Sequence, residues 1–205
     1  MKLYYLRGAC SIVPHVALQW IGKPYEAEPA THETIKSPEY LRLNPLGAVP
    51  VLIDGDFVLT QNVAILSYLD QLNPQAKIFS SNEPQIRAQA MRWLSFCNSD
   101  LHPVFGPLFH PQTLAGDNPQ FIEEIQQNAR AKVLKLLAQA DQQLAQQDYL
   151  AGEISVADVY LYVELRWCKA IGLDYSQYAN LEPFYQRVGE NPGVKAVLAQ
   201  QGLDA

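Results

Sequence analysis

The apolar pattern of this 205-residue chain changes at Asn73-Pro74, and that change constrains the fold more than any other feature of the sequence. Before it, short β-rich runs alternate with segments whose apolar residues recur at helical spacing, in the order β-α-β-α-β-β-α. After it comes a polar stretch with two prolines, and from Pro84 onward the segments show helical spacing and no convincing strand. The sequence therefore predicts a sheet covered by helices, followed by an all-helical part.

These patterns divide the chain into three parts: an α/β domain over residues 1–74, a linker over 75–83 and an all-helical domain over 84–205. The clearest strand signal is "VPVLIDGDFVLT", in which two β-rich runs meet at Asp54-Gly55 as in a hairpin. In the helical part, "SVAD" lets Ser155 cap a helix and Asp158 answer it from the third helical position. The mostly apolar run that follows predicts a helix buried inside a bundle.

Composition and charge exclude several kinds of partner. The net charge is −6 and the sequence has no block of Lys or Arg, so we expect neither a nucleic acid nor an anionic membrane as a partner. No signal peptide is recognisable, and no apolar stretch reaches the roughly 18 residues of a membrane helix, so we expect a cytoplasmic protein. The three cysteines form no CxxC pair, which favours free thiols in a reducing compartment.

Cys10 is the first candidate for chemistry. It lies in "GACSIVPH", between a predicted strand and a predicted helix, where backbone N–H groups and the helix dipole would favour its thiolate. The alternative is that Cys10 is a small residue filling a tight turn, and the local sequence does not decide between the two. Cys97 and Cys168 lie in apolar helical stretches, and we interpret both as core residues.

Three further positions have both a structural and a functional interpretation. Val49-Pro50 precedes a β-rich run, and a cis bond there would turn the backbone polar groups of Val49 away from the sheet. Asn62 has the character of a helix N-cap, and a helix N-terminus can bind a carboxylate. His102 is either a structural histidine at a helix end or, paired with Cys10, a catalytic one. The remaining histidines have no metal-ligand spacing, so we expect no metal.

Together these segments resemble the glutathione S-transferases, and in particular the bacterial beta class. The resemblance covers essentially the whole chain and rests on the order and spacing of "KLYYLRGACS", "NPLGAVPVL", "LTQNVAILSYL", "WLSFCNSDLHPVFGPLF", "SVADVYLY" and "NPGVKAVLAQQGL". It implies a thioredoxin-like N-terminal domain, with a mixed four-stranded sheet, that binds glutathione. It also implies an all-α C-terminal helical bundle, against which a second substrate is held, and a cytosolic homodimer.

The resemblance also implies roles for individual residues. It places Cys10 and His102 near the sulfur of glutathione as catalytic groups. It implies that glutathione, a co-substrate with no further cofactor, is held by Tyr5, Val49, Pro50, Gln61, Asn62 and Ser99. In that arrangement the Val49-Pro50 backbone pairs with the peptide part of glutathione, and Gln61-Asn62 meets its γ-glutamyl end.

Three positions depart from the usual beta-class pattern. Leu46 replaces a lysine or another polar residue in the "NPxG" loop, Pro103 replaces a lysine after the histidine, and neutral Gln61 replaces a glutamate. A hydrogen bond to a charged group contributes roughly 1.5–3 kcal/mol. We therefore expect glutathione to bind more weakly than is typical of the class.

The expected activity is transfer of the glutathione thiolate to small hydrophobic electrophiles, with thiol–disulfide exchange through Cys10 as a second reaction. Without a CxxC motif, a dithiol mechanism is excluded. The alternative is a non-catalytic binding or regulatory protein of the same fold. The electrophile pocket is expected to be lined by "PVFGPLF" and by Tyr160, Tyr162 and Trp167, and the sequence does not identify the electrophile.

Overall fold

The computed structural model describes residues 1–204 and confirms the predicted fold class. The α/β part consists of strands β1 (Lys2–Tyr5), β2 (Glu26–Pro29), β3 (Val51–Asp54) and β4 (Phe57–Thr60) and helices α1 (Ile12–Ile21), α2 (Pro38–Leu43) and α3 (Asn62–Leu72). Within residues 1–204, no strand follows β4. The change of pattern in the sequence is thus a change from mixed to all-helical structure.

The helical part consists of α4 (Pro84–Ser95), α5 (Gly106–Phe109), α6 (Gln112–Ala115), α7 (Pro119–Leu144), α8 (Val156–Ala170), α9 (Leu181–Gly189) and α10 (Pro192–Gln200). Short 3-10 turns cover Thr34–Lys36, Pro74–Ala76 and His102–Phe105, and a π-helical turn covers Phe96–Leu101. The segment predicted as a linker is packed, because Ile78 and Phe79 are fully buried in it. The N–H of Val156 donates to the carbonyl of Ile78 at 2.9 Å, which ties this segment to the start of α8.

The four strands form one mixed sheet in the order β2-β1-β3-β4. β1 pairs parallel with β2 and antiparallel with β3, and β3 and β4 form an antiparallel hairpin. The predicted turn at Asp54-Gly55 is confirmed, and Gly55 adopts a φ of +60° there, which glycine tolerates without a Cβ clash. The parallel pair is joined by α1, as a parallel connection requires.

Successive residues of the central strands pack on opposite faces of the sheet, following the two-residue period of a strand. Leu3 and Leu52 belong to the large core that includes α1, α3 and the helical domain. Tyr4 and Val51 belong to a smaller cluster around Tyr40 of α2, whose ring meets that of Tyr4 edge to face at 5.6 Å. Both faces of the sheet are therefore covered by helices.

The predicted capping box at the start of α8 is confirmed. The carboxylate of Asp158 accepts from the N–H and from the hydroxyl of Ser155, both at 2.8 Å, and from the N–H of Leu150 at 2.7 Å. Even with these bonds, burial raises the pKa of Asp158 to about 6. α8 packs against α1, so the helical domain lies next to the loop that carries Cys10.

The long helix predicted over residues 85–102 is interrupted. α4 ends at Ser95, and the chain continues through the π-helical turn and then a 3-10 turn. Pro103 explains this change, because a proline has no N–H to donate and its ring clashes with the carbonyl four residues earlier, that of Ser99. The π-helical turn presents Asn98, and the 3-10 turn presents His102, to the same side chain of α8, Tyr160.

Candidate active site

Cys10 lies in the loop between β1 and α1, two residues before the helix begins at Ile12. The preceding strand end is fixed by Ser11, whose Oγ accepts from the N–H of Leu6 at 3.2 Å and lies 3.3 Å from its carbonyl oxygen. Ser11 therefore closes the loop and makes no side-chain cap on α1. The short closure leaves Cys10 at the bend between the two elements.

The helical domain holds the same loop at Gly8. The indole N–H of Trp167 donates to the Gly8 carbonyl at 2.9 Å, and the Gly8 N–H donates to Oε1 of Gln201 at 3.2 Å. Gly8 adopts a φ of +74°, which favours glycine at this position. Both polar groups of one residue in the Cys10 loop are thus bound by residues from the other domain.

The thiol of Cys10 is nearly buried, with 8 % of the residue exposed. Its Sγ lies 3.9 Å from the carbonyl oxygen of Val49, and the side chains of Asn62 and Tyr160 contact it. Burial raises the pKa of Cys10 to about 11, more than the two polar contacts lower it. In the free protein, desolvation therefore disfavours the thiolate more than the helix dipole and the hydrogen bonds favour it.

The hydroxyl of Tyr160 joins three elements around the site. Its oxygen lies 2.7 Å from Nδ1 of His102, 3.2 Å from Oδ1 of Asn98 and 3.4 Å from Nδ2 of Asn62. The Asn98 carbonyl oxygen can only accept the hydroxyl proton, whereas the imidazole can either donate or accept. We therefore assign the His102 tautomer with the proton on Nδ1, which leaves the lone pair on Nε2.

His102 is half-buried, and burial lowers its pKa. The imidazole is therefore neutral at neutral pH and can accept a proton. Its ring packs against the indole of Trp167 at 4.8 Å, and Phe109 meets the same indole edge to face at 5.7 Å. His102 thus stands at the edge of an aromatic wall with its orientation fixed by Tyr160.

A cleft of about 650 Å³ lies between the two domains and contains both Cys10 and His102. It is lined by Leu6, Arg7, Gly8, Ala9, Cys10, Ala30, Thr31, His32, His102, Phe109, His110 and Trp167. Of the expected pocket residues, Trp167 and the end of "PVFGPLF" are confirmed as lining. Tyr160 and Tyr162 are fully buried in α8 and do not line the cleft.

The loop beside Cys10 contains the Val49-Pro50 bond, and the sequence did not decide whether this bond is cis or trans. The Val49-Pro50 bond is cis, Pro50 is buried, and Val49 keeps part of its surface exposed. At the start of α3, Asn62 is buried, whereas Gln61 is exposed and adopts a φ of +74° with a ψ of 124°. Such a backbone conformation is rare for a residue with a side chain and is typical of ligand-binding positions.

None of the six residues expected to bind glutathione is among those that line this cleft, although Val49 and Asn62 contact Cys10. Tyr5 is buried against the ring of His15, at 5.3 Å between ring centroids, and is not among the residues that line the cleft. Ser99 is exposed and lines a separate groove of about 440 Å³ beside α7, together with Pro103 and Lys132. The side chain that faces Tyr160 is that of Asn98, one residue earlier, which sequence reasoning missed.

A signal for the Tyr160 network was present in the sequence. A tyrosine on a helix that is apolar on most faces is buried, and a buried phenol needs a hydrogen-bond partner. The partners come from residues 62, 98 and 102, so no local pattern could have identified them.

The fold and the site define a two-domain protein in which a thioredoxin-like sheet presents a cysteine and a cis-proline loop, and a helical domain supplies a histidine. Two family models match the chain: "Glutathione S-transferase, N-terminal domain" over residues 1–71 and "Glutathione S-transferase, C-terminal domain" over residues 96–192. The chain belongs to the glutathione S-transferase family and is a glutathione transferase.

This chain matches individual relatives along all or nearly all of their length. The chain is 40% identical over 205 residues to glutathione S-transferase GST-4.5 of Xanthomonas campestris pv. campestris, covering 100% of both. The solved structure of a glutathione S-transferase from Xylella fastidiosa matches with a TM-score of 0.94 at 43% identity, covering 99% of each chain. A bacterial beta class enzyme from Sphingomonas chungbukensis matches with a TM-score of 0.86 at 36% identity, covering 100% of each chain.

No helix within residues 1–204 is long and apolar enough to cross a bilayer. The same residues contain no group of three or more His, Cys, Asp or Glu side chains placed to hold a metal ion.

Proposed function

We propose that this transferase joins the sulfur of glutathione to small hydrophobic electrophiles held in the cleft between its domains. The observation that carries the proposal is the 2.7 Å contact between Nδ1 of His102 and the Tyr160 hydroxyl, beside the cleft that also contains Cys10. The pKa of His102 is lowered by burial, and this residue shares the cleft with Cys10. A neutral imidazole with a free Nε2 is a suitable general base for a thiol.

The proposed position of glutathione follows from the groups beside Cys10. Its peptide part pairs with the backbone of the Val49-Pro50 loop, and its γ-glutamyl end lies at Gln61 and Asn62, where α3 begins. The exposure of Gln61, its unusual backbone conformation and the 3.9 Å contact between Cys10 and Val49 support this placement. Tyr5 is buried against His15 and Ser99 lines the outer groove beside α7, so neither is included in the proposed site.

In the proposed reaction, Nε2 of His102 accepts the proton of the glutathione thiol, and the sulfur attacks the electrophilic carbon. The bond from sulfur to carbon forms as the leaving group departs with its electron pair. Because its pKa is raised to about 11, Cys10 stays protonated and donates its S–H toward the glutathione sulfur. Cys10 therefore stabilises the thiolate of the substrate and is not itself the nucleophile in conjugation.

We propose thiol–disulfide exchange as a slower second reaction of the same cleft. Deprotonated Cys10 attacks the glutathione sulfur of a mixed disulfide, the other thiol leaves as a thiolate, and a second glutathione then reduces the Cys10–glutathione disulfide. Only a small fraction of Cys10 is ionised at neutral pH, which limits the rate of this reaction.

The proposal extends to the setting in which the protein works. We propose a cytoplasmic homodimer that detoxifies reactive compounds, since all three cysteines are free thiols and the family resemblance implies a dimer. Light scattering on the purified protein tests the oligomeric state. A non-catalytic binding role is not favoured, because the cysteine and the histidine required for chemistry share one cleft.

The test compares the wild type with Cys10→Ala and His102→Gln in two assays, conjugation of glutathione to an aryl halide and reduction of a glutathione mixed disulfide. We expect Cys10→Ala to keep conjugation and lose disulfide reduction. We expect His102→Gln to lower conjugation about 10²-fold, as for loss of a general base. Cys168→Ala, a cysteine change in the core away from the cleft, is the control.

If a correctly folded wild-type protein catalyses neither reaction with any aryl halide or mixed disulfide tested, the proposed function is wrong. If Cys10→Ala loses conjugation as fully as disulfide reduction, Cys10 has a larger part in conjugation than proposed.

A further inference from the structure

The side chains that line the cleft include an arginine and three histidines and, among the described residues, no carboxylate. Besides Cys10, the titratable ones are Arg7, His32, His102 and His110. The chain as a whole has a net charge of −6, so a lining with basic side chains and no carboxylate departs from its average surface. Low-dielectric walls of one charge sign concentrate ligands of the opposite sign.

The guanidinium of Arg7 is fixed in place without being neutralised. Its Nε donates to the carbonyl of Gln201 at 3.0 Å, and its Nη2 donates to the carbonyl of Gly202. Both partners are uncharged, and within residues 1–204 Arg7 forms no ion pair with a carboxylate. The Arg7 guanidinium is thus held in the lining of the cleft, and these contacts do not neutralise its charge.

Part of the cleft wall is aromatic. Trp167 lies at its centre, in contact with the rings of His102, Phe105 and Phe109 at 4.8, 5.2 and 5.7 Å. The indole cannot turn freely, because its N–H is bound to the Gly8 carbonyl. A flat apolar group fits against this wall, since aromatic rings pack edge to face or offset against one another.

We infer that the electrophile of this enzyme is acidic, with an aromatic body that packs against Trp167 and Phe109 and a carboxylate or similar anion that meets Arg7, His32 and His110. An imidazole can donate a hydrogen bond to a carboxylate in either protonation state, and a guanidinium forms two such bonds at once. The inference rests on the proposed function and names the class of its second substrate.

Glutathione itself carries a carboxylate on its glycine, so the same basic groups could serve the first substrate instead. Kinetic measurements distinguish whether the basic groups bind the carboxylate of glutathione or that of the electrophile. Basic groups that hold the electrophile change the preference between an acidic and a neutral electrophile, whereas basic groups that hold glutathione change the KM for glutathione with both.

The experiment uses a matched pair of electrophiles, a chlorodinitrobenzoate and the corresponding chlorodinitrobenzamide, which differ in charge and little in size. In both, the glutathione sulfur bonds to the ring carbon that carries chlorine, chloride leaves with the bonding electron pair, and the thiol proton passes to His102. We expect kcat/KM to be about tenfold higher for the acid than for the amide.

The variants are Arg7→Gln and the double change His32→Gln with His110→Gln. The two histidines are exposed, and their side chains make no hydrogen bond to other described residues. We therefore expect the histidine variant to fold normally, so it can still test the inference if Arg7→Gln disturbs the fold. We expect each variant to lower the preference for the acid about fivefold. Lys23→Gln, which removes an exposed cation outside the cleft, is the control and should leave the preference unchanged.

Equal turnover of acid and amide by the wild type would overturn the inference and leave the proposed function intact. A rise in the KM for glutathione with both electrophiles would also overturn it, by assigning the basic groups to glutathione. If neither electrophile is turned over, the other aryl halides and the mixed disulfides decide the proposed function, and titration calorimetry with the acid and with the amide decides the inference. Tighter binding of the acid supports it, and equal binding contradicts it.

Discussion

The phenolic oxygen of Tyr160 lies 2.7 Å from Nδ1 of His102, so a fully buried side chain of α8 determines which nitrogen of the imidazole faces the cleft. The same oxygen meets the side chains of Asn62 and Asn98. Residues from the N-terminal domain, from the π-helical turn and from α8 therefore share one hydroxyl. Loss of that hydroxyl should disturb the site without removing any group that touches the substrate.

Tyr160→Phe is expected to lower kcat/KM for conjugation about tenfold, because a buried hydrogen bond is lost and the Nδ1–H tautomer of His102 is no longer favoured. The pH profile of kcat/KM should shift at its acidic limb, which a purely structural effect would not produce. Tyr162→Phe is the matched control: it lies on the same helix, and its hydroxyl contacts Arg166 away from the cleft. Equal small effects of both changes would contradict the role of Tyr160.

Gln61→Glu is expected to strengthen glutathione binding about fivefold, measured by titration calorimetry. The side chain is exposed at the start of α3, and a carboxylate there would pair with the γ-glutamyl ammonium, where a neutral amide makes a weaker bond. Gln71→Glu adds the same charge at an exposed position near the other end of α3. An unchanged Kd in Gln61→Glu would show that the γ-glutamyl group lies elsewhere.

Glu164→Leu is expected to stabilise the protein, and increasingly so as the pH rises. Glu164 is fully buried in α8, neither carboxyl oxygen has an N–H or O–H partner within residues 1–204, and its polar neighbour is the thiol of Cys97. Burial raises its pKa well above 4.5. The folded state therefore binds this proton to higher pH than the unfolded chain does, so the wild type loses stability as the pH rises above that value.

The gain in the free energy of unfolding from Glu164→Leu should grow by up to about 1.4 kcal/mol per pH unit until the raised pKa of the folded protein is reached. Thermal melting followed by circular dichroism at about pH 5 and about pH 8 measures it. Glu124→Leu, on the exposed side of α7, is the control and should show no such growth. A gain that does not depend on pH would mean that Glu164 titrates normally.

Sequence predicted most of the fold, because the deciding interactions are local. The hairpin at Asp54-Gly55, the box formed by Ser155 and Asp158 and the order of strands and helices depend on residues close together in the chain. The interruption after Ser95 was not predicted, although the residue that causes it, Pro103, is evident in the sequence. A proline indicates that a helix must change, but not whether the helix ends or widens.

The site was less predictable, because its properties depend on burial and on contacts between domains. The ionisation of Cys10 depends on desolvation by residues that are distant in the sequence. The position of Cys10 before α1 gives no information about that desolvation. Asn98 and Ser99 are neighbours, yet one faces Tyr160 and the other an outer groove. Adjacent residues of a helical turn point in different directions, and the sequence pattern does not indicate which of them faces the site.

The central claim is that glutathione supplies the thiolate and Cys10 stays protonated beside it. The most direct test is the ultraviolet thiolate absorbance of the wild type and of Cys10→Ala at neutral pH, before and after saturation with glutathione. We expect no thiolate signal from either free protein and a thiolate signal from both complexes, the smaller one from Cys10→Ala, which lacks the S–H donor. A thiolate signal in the free wild type that is absent from Cys10→Ala would contradict this claim.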